Sequence, residues 1–184
     1  MPSQCVKSVL VLVIVLSFLS ILSAYDYEVL RFEDETQDDK IWKVSKFRVK
    51  KIEPGIYGVS GQFELLQTLG KKSKILVKFF YNTNGVGMWT LLPGQIGPEF
   101  GCDFLNDGYK RYLPGLPEAS NFPKVGDDYY CPLQKGLYKM DTYSVNTTRV
   151  TSFVKPGFYK IQVTMDSDSG DTSVMNVYSK VARK

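Results

Sequence analysis

The sequence predicts an all-β domain, an antiparallel sandwich or barrel, with one irregular segment closed by a disulfide. Apolar and polar residues alternate with a period of two in several runs, as half-buried strands require. Glycine, proline and asparagine clusters separate those runs at short intervals. Two cysteines, Cys102 and Cys131, bracket an aromatic, proline- and glycine-rich stretch in which the alternation stops.

The first 24 residues read as a leader. Lys7 supplies a positive n-region, Val9 to Leu22 is almost wholly apolar, and Ser23 and Ala24 are small. That is the pattern of a secretory signal peptide, with cleavage expected after Ala24. An uncleaved anchor is the alternative, since the run is only slightly shorter than the ~20 residues that span a bilayer. Residues 25–184 then form one domain of about 160 residues, long enough for a true core. A secreted, extracellular protein with no stable membrane insertion is expected. Cys5 leaves with the leader, and Cys102 and Cys131 should pair in an oxidising compartment.

The strands follow in order. From Gly58, Val59, Gly61, Phe63 and Leu65 fall on one side, and Ser60, Gln62 and Glu64 on the other. Ile75, Val77, Phe79 and Tyr81 form a second inward row, with Leu76 and Phe80 sharing the outer face with Lys74 and Lys78. Tyr159, Ile161, Val163 and Met165 make a third, and Met175, Val177 and Val181 a fourth. Weaker strand signals lie at 25–32, 42–52, 88–92, 137–140 and 149–154. Turns are predicted at 53–55, 69–71, 82–85 and 155–157, and the run from Asp166 to Asp171 reads as a polar hairpin loop. That loop is acidic but lacks the glutamate and spacing of a calcium site.

Catalysis is argued against by what the chain lacks. It has no histidine, which removes Ser–His and Cys–His nucleophilic systems and the usual zinc sites. Oxidised cysteines leave no thiolate. Asp34, Glu35, Asp38 and Asp39 cluster, as do Asp127 and Asp128, but in polar, turn-like sequence that suits solvated loops better than a carboxylate pair. No phosphate-cradling glycine motif occurs. The formal charge of +4 is mild, and its densest group (Lys43, Lys46, Arg48, Lys50, Lys51) is interleaved with apolar residues. Nucleic-acid binding needs a more concentrated basic footprint. No enzyme, cofactor or metal is expected. Asn146-Thr147-Thr148 is an N-glycosylation sequon.

Between the cysteines, Phe104, Leu105, Tyr109 and Tyr112 recur at helical spacing, although Gly101 and Gly108 interrupt them. Pro114, Gly115, Pro117 and Pro123 then forbid regular structure, and a loop of this length is usually functional or disordered. The ordered motifs Gly101-Cys102-Asp103-Phe104-Leu105, Ser120-Asn121-Phe122-Pro123, Tyr130-Cys131-Pro132-Leu133, Gly136-Leu137-Tyr138 and Lys155-Pro156-Gly157-Phe158-Tyr159-Lys160 resemble the insect-expanded DUF1091 (DM11) family. That family is related to MD-2-type lipid-recognition (ML) domains and to ganglioside-activator-like chemosensory proteins. The resemblance spans roughly residues 59–165. It implies an immunoglobulin-like β-sandwich with an apolar cavity between the sheets and a lipid or other hydrophobic ligand.

On that expectation Phe63, Leu65, Val77, Phe79, Trp89, Ile161 and Val163 line the interior, with Phe104, Leu105, Tyr109 and Phe122 as a lid. The chain would then be a carrier or sensor of a hydrophobic small molecule, presenting it to a receptor or another extracellular protein. The competing expectation is an extracellular interaction domain with a filled core, using exposed Tyr109, Tyr112, Tyr129 and Tyr130 for protein contacts.

Overall fold

The computed structural model describes residues 25–35, 40–53, 56–126, 128–144 and 154–183. The leader, Asn146, Asp38, Asp39, Asp127 and most of the strand expected at 149–154 lie outside them. Among the described residues there are eight strands: β1 (Tyr25–Asp34), β2 (Trp42–Glu53), β3 (Ile56–Leu65), β4 (Lys74–Asn82), β5 (Thr90–Phe100), β6 (Gly136–Ser144), β7 (Gly157–Asp166) and β8 (Thr172–Arg183). They form a five-stranded sheet, β1-β8-β7-β4-β5, and a three-stranded sheet, β2-β3-β6. All the pairings are antiparallel, in a sandwich-like arrangement.

The alternation read from the sequence sets the faces. Val77 pairs with Val163 and Ile75 with Met165 across β4 and β7, and Val163 pairs with Met175 across β7 and β8. These rows meet β2 and β3 at one end of the sandwich, where Ile41, Trp42, Leu65, Leu69, Leu105, Leu133 and Tyr138 form the main buried cluster. β5 runs well beyond the segment expected at 88–92 and crosses Pro93 and Pro98. It is the edge of its sheet, where a missing ladder donor costs little.

The irregular segment does contain a helix. α1 (residues 101–112) begins α-helical at Gly101–Asp103, widens into a π-helical stretch at Phe104–Gly108 and ends at Tyr109–Tyr112. The glycines that weaken its propensity have packing reasons. A Cβ at Gly108 would stand 2.6 Å from the Phe104 ring, and one at Gly101 would collide with the Ser73 hydroxyl. The Cys102–Cys131 disulfide is formed across 29 residues. Beside it Asn106 donates to the carbonyls of Cys102 (2.6 Å) and Tyr130 (2.9 Å) and accepts from the Tyr130 N–H at 2.8 Å. Further on, Asn121 fastens the loop to β6: its side chain donates to the Leu137 carbonyl at 2.9 Å and accepts from the Lys139 N–H.

Candidate functional site

The expected interior wall is largely occupied by side chains. Leu65 and Leu105 are buried in the main cluster, and Phe63, Phe122 and Val163 pack against it. The Phe63 ring lies 5.3 Å from Phe122 and 5.3 Å from Tyr138, with Phe122 4.7 Å from Tyr138. Phe122 and Leu105 therefore act as core at this end of the sandwich, where a lid had been expected. Val77 is buried, while Phe79 and its register partner Ile161 are half-buried. Tyr109 joins a second cluster with Leu116 and Tyr143, against which Phe104 packs.

Two placements correct the expectations. Trp89 is not on the inner wall. Its ring meets Tyr178 edge-on at 5.6 Å, and Tyr178 stands on the outer face in the cross-strand row Phe80–Lys160–Tyr178–Arg31. Tyr109, expected among exposed contact residues, is 2% exposed, and Tyr130 is half-buried against the core. Tyr112 and Tyr129 are the exposed members of that set, and the Tyr129 hydroxyl donates to Asp103 at 2.9 Å.

The buried phenols hold their protons tightly. Burial pushes the Tyr109 ionisation well above its ordinary value, with the charges of Glu118 and Tyr143 adding to it. Burial does the same at Tyr143 and, with Tyr130, at Tyr138. Their hydroxyls are committed to structure: Tyr143 donates to the Pro114 carbonyl at 3.2 Å and Tyr138 to that of Gln134 at 2.6 Å. None is poised as an acid or base. Among the described residues no group of histidine, cysteine and carboxylate side chains is placed to hold a metal.

Open space lies elsewhere. β1 and β2 are the outermost strands of their respective sheets, and a groove of about 330 Å³ runs between them. Leu30, Phe32, Val44, Phe47 and Val49 supply apolar lining, with Arg31 and Ser45 as its polar members. Phe32 and Phe47 stack at 4.5 Å, tying the two sheets together across this edge. A second cavity, of about 260 Å³, lies beside α1 and is lined by Tyr109, Lys110, Leu113, Glu118, Lys124 and several glycine, proline and valine residues. Beside it the Lys110 ammonium donates to the Gly126 carbonyl.

The sequence reading missed the β1–β2 groove because its alternation is interrupted. Trp42 and Val44 keep one phase and Phe47 and Val49 the other, and the β2–β3 register shifts between Ser45 and Arg48. β1 shifts likewise between Val29 and Arg31, leaving Leu30 as the extra residue. A change of phase between two apolar runs in one strand is the signal that marks such a bulge.

Residues 100–161 match the family model described as a protein of unknown function (DUF1091). No curated protein matches this chain.

Proposed function

We propose, for a chain whose residues 100–161 match the DUF1091 family model, a secreted, non-enzymatic binder of a lipid or other hydrophobic small molecule held between two sheets. The observation that carries this reading is the groove of about 330 Å³ at the β1–β2 edge, to which Leu30, Phe32, Val44, Phe47 and Val49 contribute. Its size lies in the range of small-ligand sites, and five of its seven lining residues are apolar, with the edge-strand backbone adding polar surface. A ligand enters at the edge, because the interior near α1 is filled by Phe63, Leu105 and Phe122. Each buried methylene contributes about 0.8 kcal/mol, so six of them supply roughly 5 kcal/mol toward binding.

The test is native mass spectrometry with lipid extraction on the protein secreted from eukaryotic cells. A co-purifying apolar ligand is expected, with lower occupancy in Leu30→Trp, which narrows the groove at a residue already 38% exposed. An apo mass, with no uptake of a hydrophobic fluorescent probe, overturns the carrier. A second reading would then stand: an extracellular interaction domain. The aromatic packing of Phe63, Phe122 and Tyr138 favours it.

A further inference from the structure

The loop joining β4 to β5 carries its apolar side chains outward. Met88 is 94% exposed and Val86 69%, and Leu91, at the start of β5, is 56% exposed. Nothing in the core uses these residues, yet the loop is firmly built. Asn82, itself 7% exposed, uses its whole side-chain amide on it. The nitrogen donates to the carbonyls of Val86 (2.8 Å) and Met88 (2.7 Å), and the oxygen accepts from the N–H groups of Asn84 (2.9 Å) and Gly85 (2.8 Å). Gly85 and Gly87 sit at φ +80° and +77°, where other residues are strained. Gly85 also lies on the Phe158 ring, which a Cβ would approach to 2.9 Å. A connection that only joined two strands would carry polar residues at such a tip.

Cations surround the base of this loop. Asn82 pairs in register with Phe158, and Phe158 with Lys180, whose ammonium stands 5.7 Å from the Phe158 ring centre. On the other side Lys160 lies 4.4 Å from the Phe80 centre and 6.0 Å from that of Trp89. Lys155 is exposed in the turn before β7. Among the described residues no ion pair engages Lys155, Lys160 or Lys180. The acidic neighbours on this face include, among the described residues, Glu28, opposite Lys180 in register, Glu33, which faces Arg31 at 3.8 Å, and Glu35, whose carboxylate accepts from Gln162 and Asn176.

We propose that this loop docks the protein reversibly on an anionic lipid bilayer. Val86, Met88 and Leu91 enter the boundary between head groups and acyl chains, and Trp89 lies at the interface. Lys155, Lys160 and Lys180 meet the anionic head groups. The shape and composition favour a membrane over a protein partner. A stable protein interface needs roughly 800 Å² per side and excludes lysine from its centre, whereas this is a narrow apolar projection ringed by lysines. A fluid surface closes around such a projection. The β1–β2 groove plays no part, so this docking stands or falls separately from ligand binding.

The test is co-sedimentation of the protein with vesicles of phosphatidylcholine and phosphatidylserine in equal parts, against phosphatidylcholine alone. Binding to the mixed vesicles is expected, with a blue shift of Trp89 emission and weakening as salt is raised. Met88→Asp should weaken it about tenfold or more, the loss expected from one buried methionine side chain. Lys160→Glu should act in the same direction, and Met88→Leu should retain binding. An unchanged melting temperature of Met88→Asp separates lost docking from lost fold. A wild-type protein that stays in the supernatant with both vesicles, or a Met88→Asp variant that binds like wild type, overturns the proposal.

Discussion

The side chain of Asn82 donates to the Met88 carbonyl at 2.7 Å, holding the β4–β5 loop from the last residue of its incoming strand. The same amide makes three further hydrogen bonds within that loop. Asn82→Ala strands two carbonyls and two N–H groups whose only replacement partner is water. A loss of about 2–3 kcal/mol of unfolding free energy is expected, read by urea denaturation. A loss under about 0.5 kcal/mol would mean that the loop holds its shape without the amide.

Phe122 distinguishes core from lid. Its ring contacts those of Phe63, Tyr138 and, at 6.0 Å, Tyr109, so it joins both buried clusters. Phe122→Ala should destabilise the fold by about 2–4 kcal/mol, toward the lower end of such truncations because the ring is only half-buried. Chemical denaturation checks this. A lid over empty space would instead cost little stability.

The disulfide spans 29 residues, and the loop it closes carries most of the second cluster. Replacing both cysteines by serine should lower stability by about 3–4 kcal/mol through the freed entropy of the unfolded chain. Limited proteolysis should then cut first between α1 and β6. Equal resistance in the two proteins would count against a constraining role.

Alkaline pH should unfold the protein cooperatively. Below the ordinary tyrosine value of 10.0, both folded and unfolded chains keep the Tyr109 proton. Above it the unfolded chain ionises while folded Tyr109 and Tyr143 do not, so stability falls as pH rises. The limiting slope is about 1.4 kcal/mol per pH unit for each such tyrosine. Denaturation at stepped pH, with tyrosinate absorbance followed in parallel, tests this. Full tyrosine ionisation in the native state near the ordinary value would refute it.

Much of the fold was legible in local pattern. The runs beginning at Gly58, Lys74, Phe158 and Met175 are strands β3, β4, β7 and β8, with the faces that their alternation assigns, and the hairpin loop after Asp166 is present. The helix was legible through Phe104, Leu105, Tyr109 and Tyr112, although its glycines argued against it until their neighbours were known. The groove was not legible. Each bulge in β1 and β2 adds one residue, and with a period of two one residue reverses every later side chain.

By itself, the sequence determined which segments alternate, where they turn and which two cysteines were available to pair. These are properties of neighbours along the chain. Only the tertiary structure decided that Phe122 fills the interior, that Trp89 turns to the outer face against Tyr178, and that open space lies between β1 and β2. Alternation assigns a residue to one side of its strand. What lies opposite that side depends on pairing between residues far apart in the chain, such as Phe32 stacking on Phe47 across the sheets and Phe63 meeting Phe122 from the disulfide-closed loop.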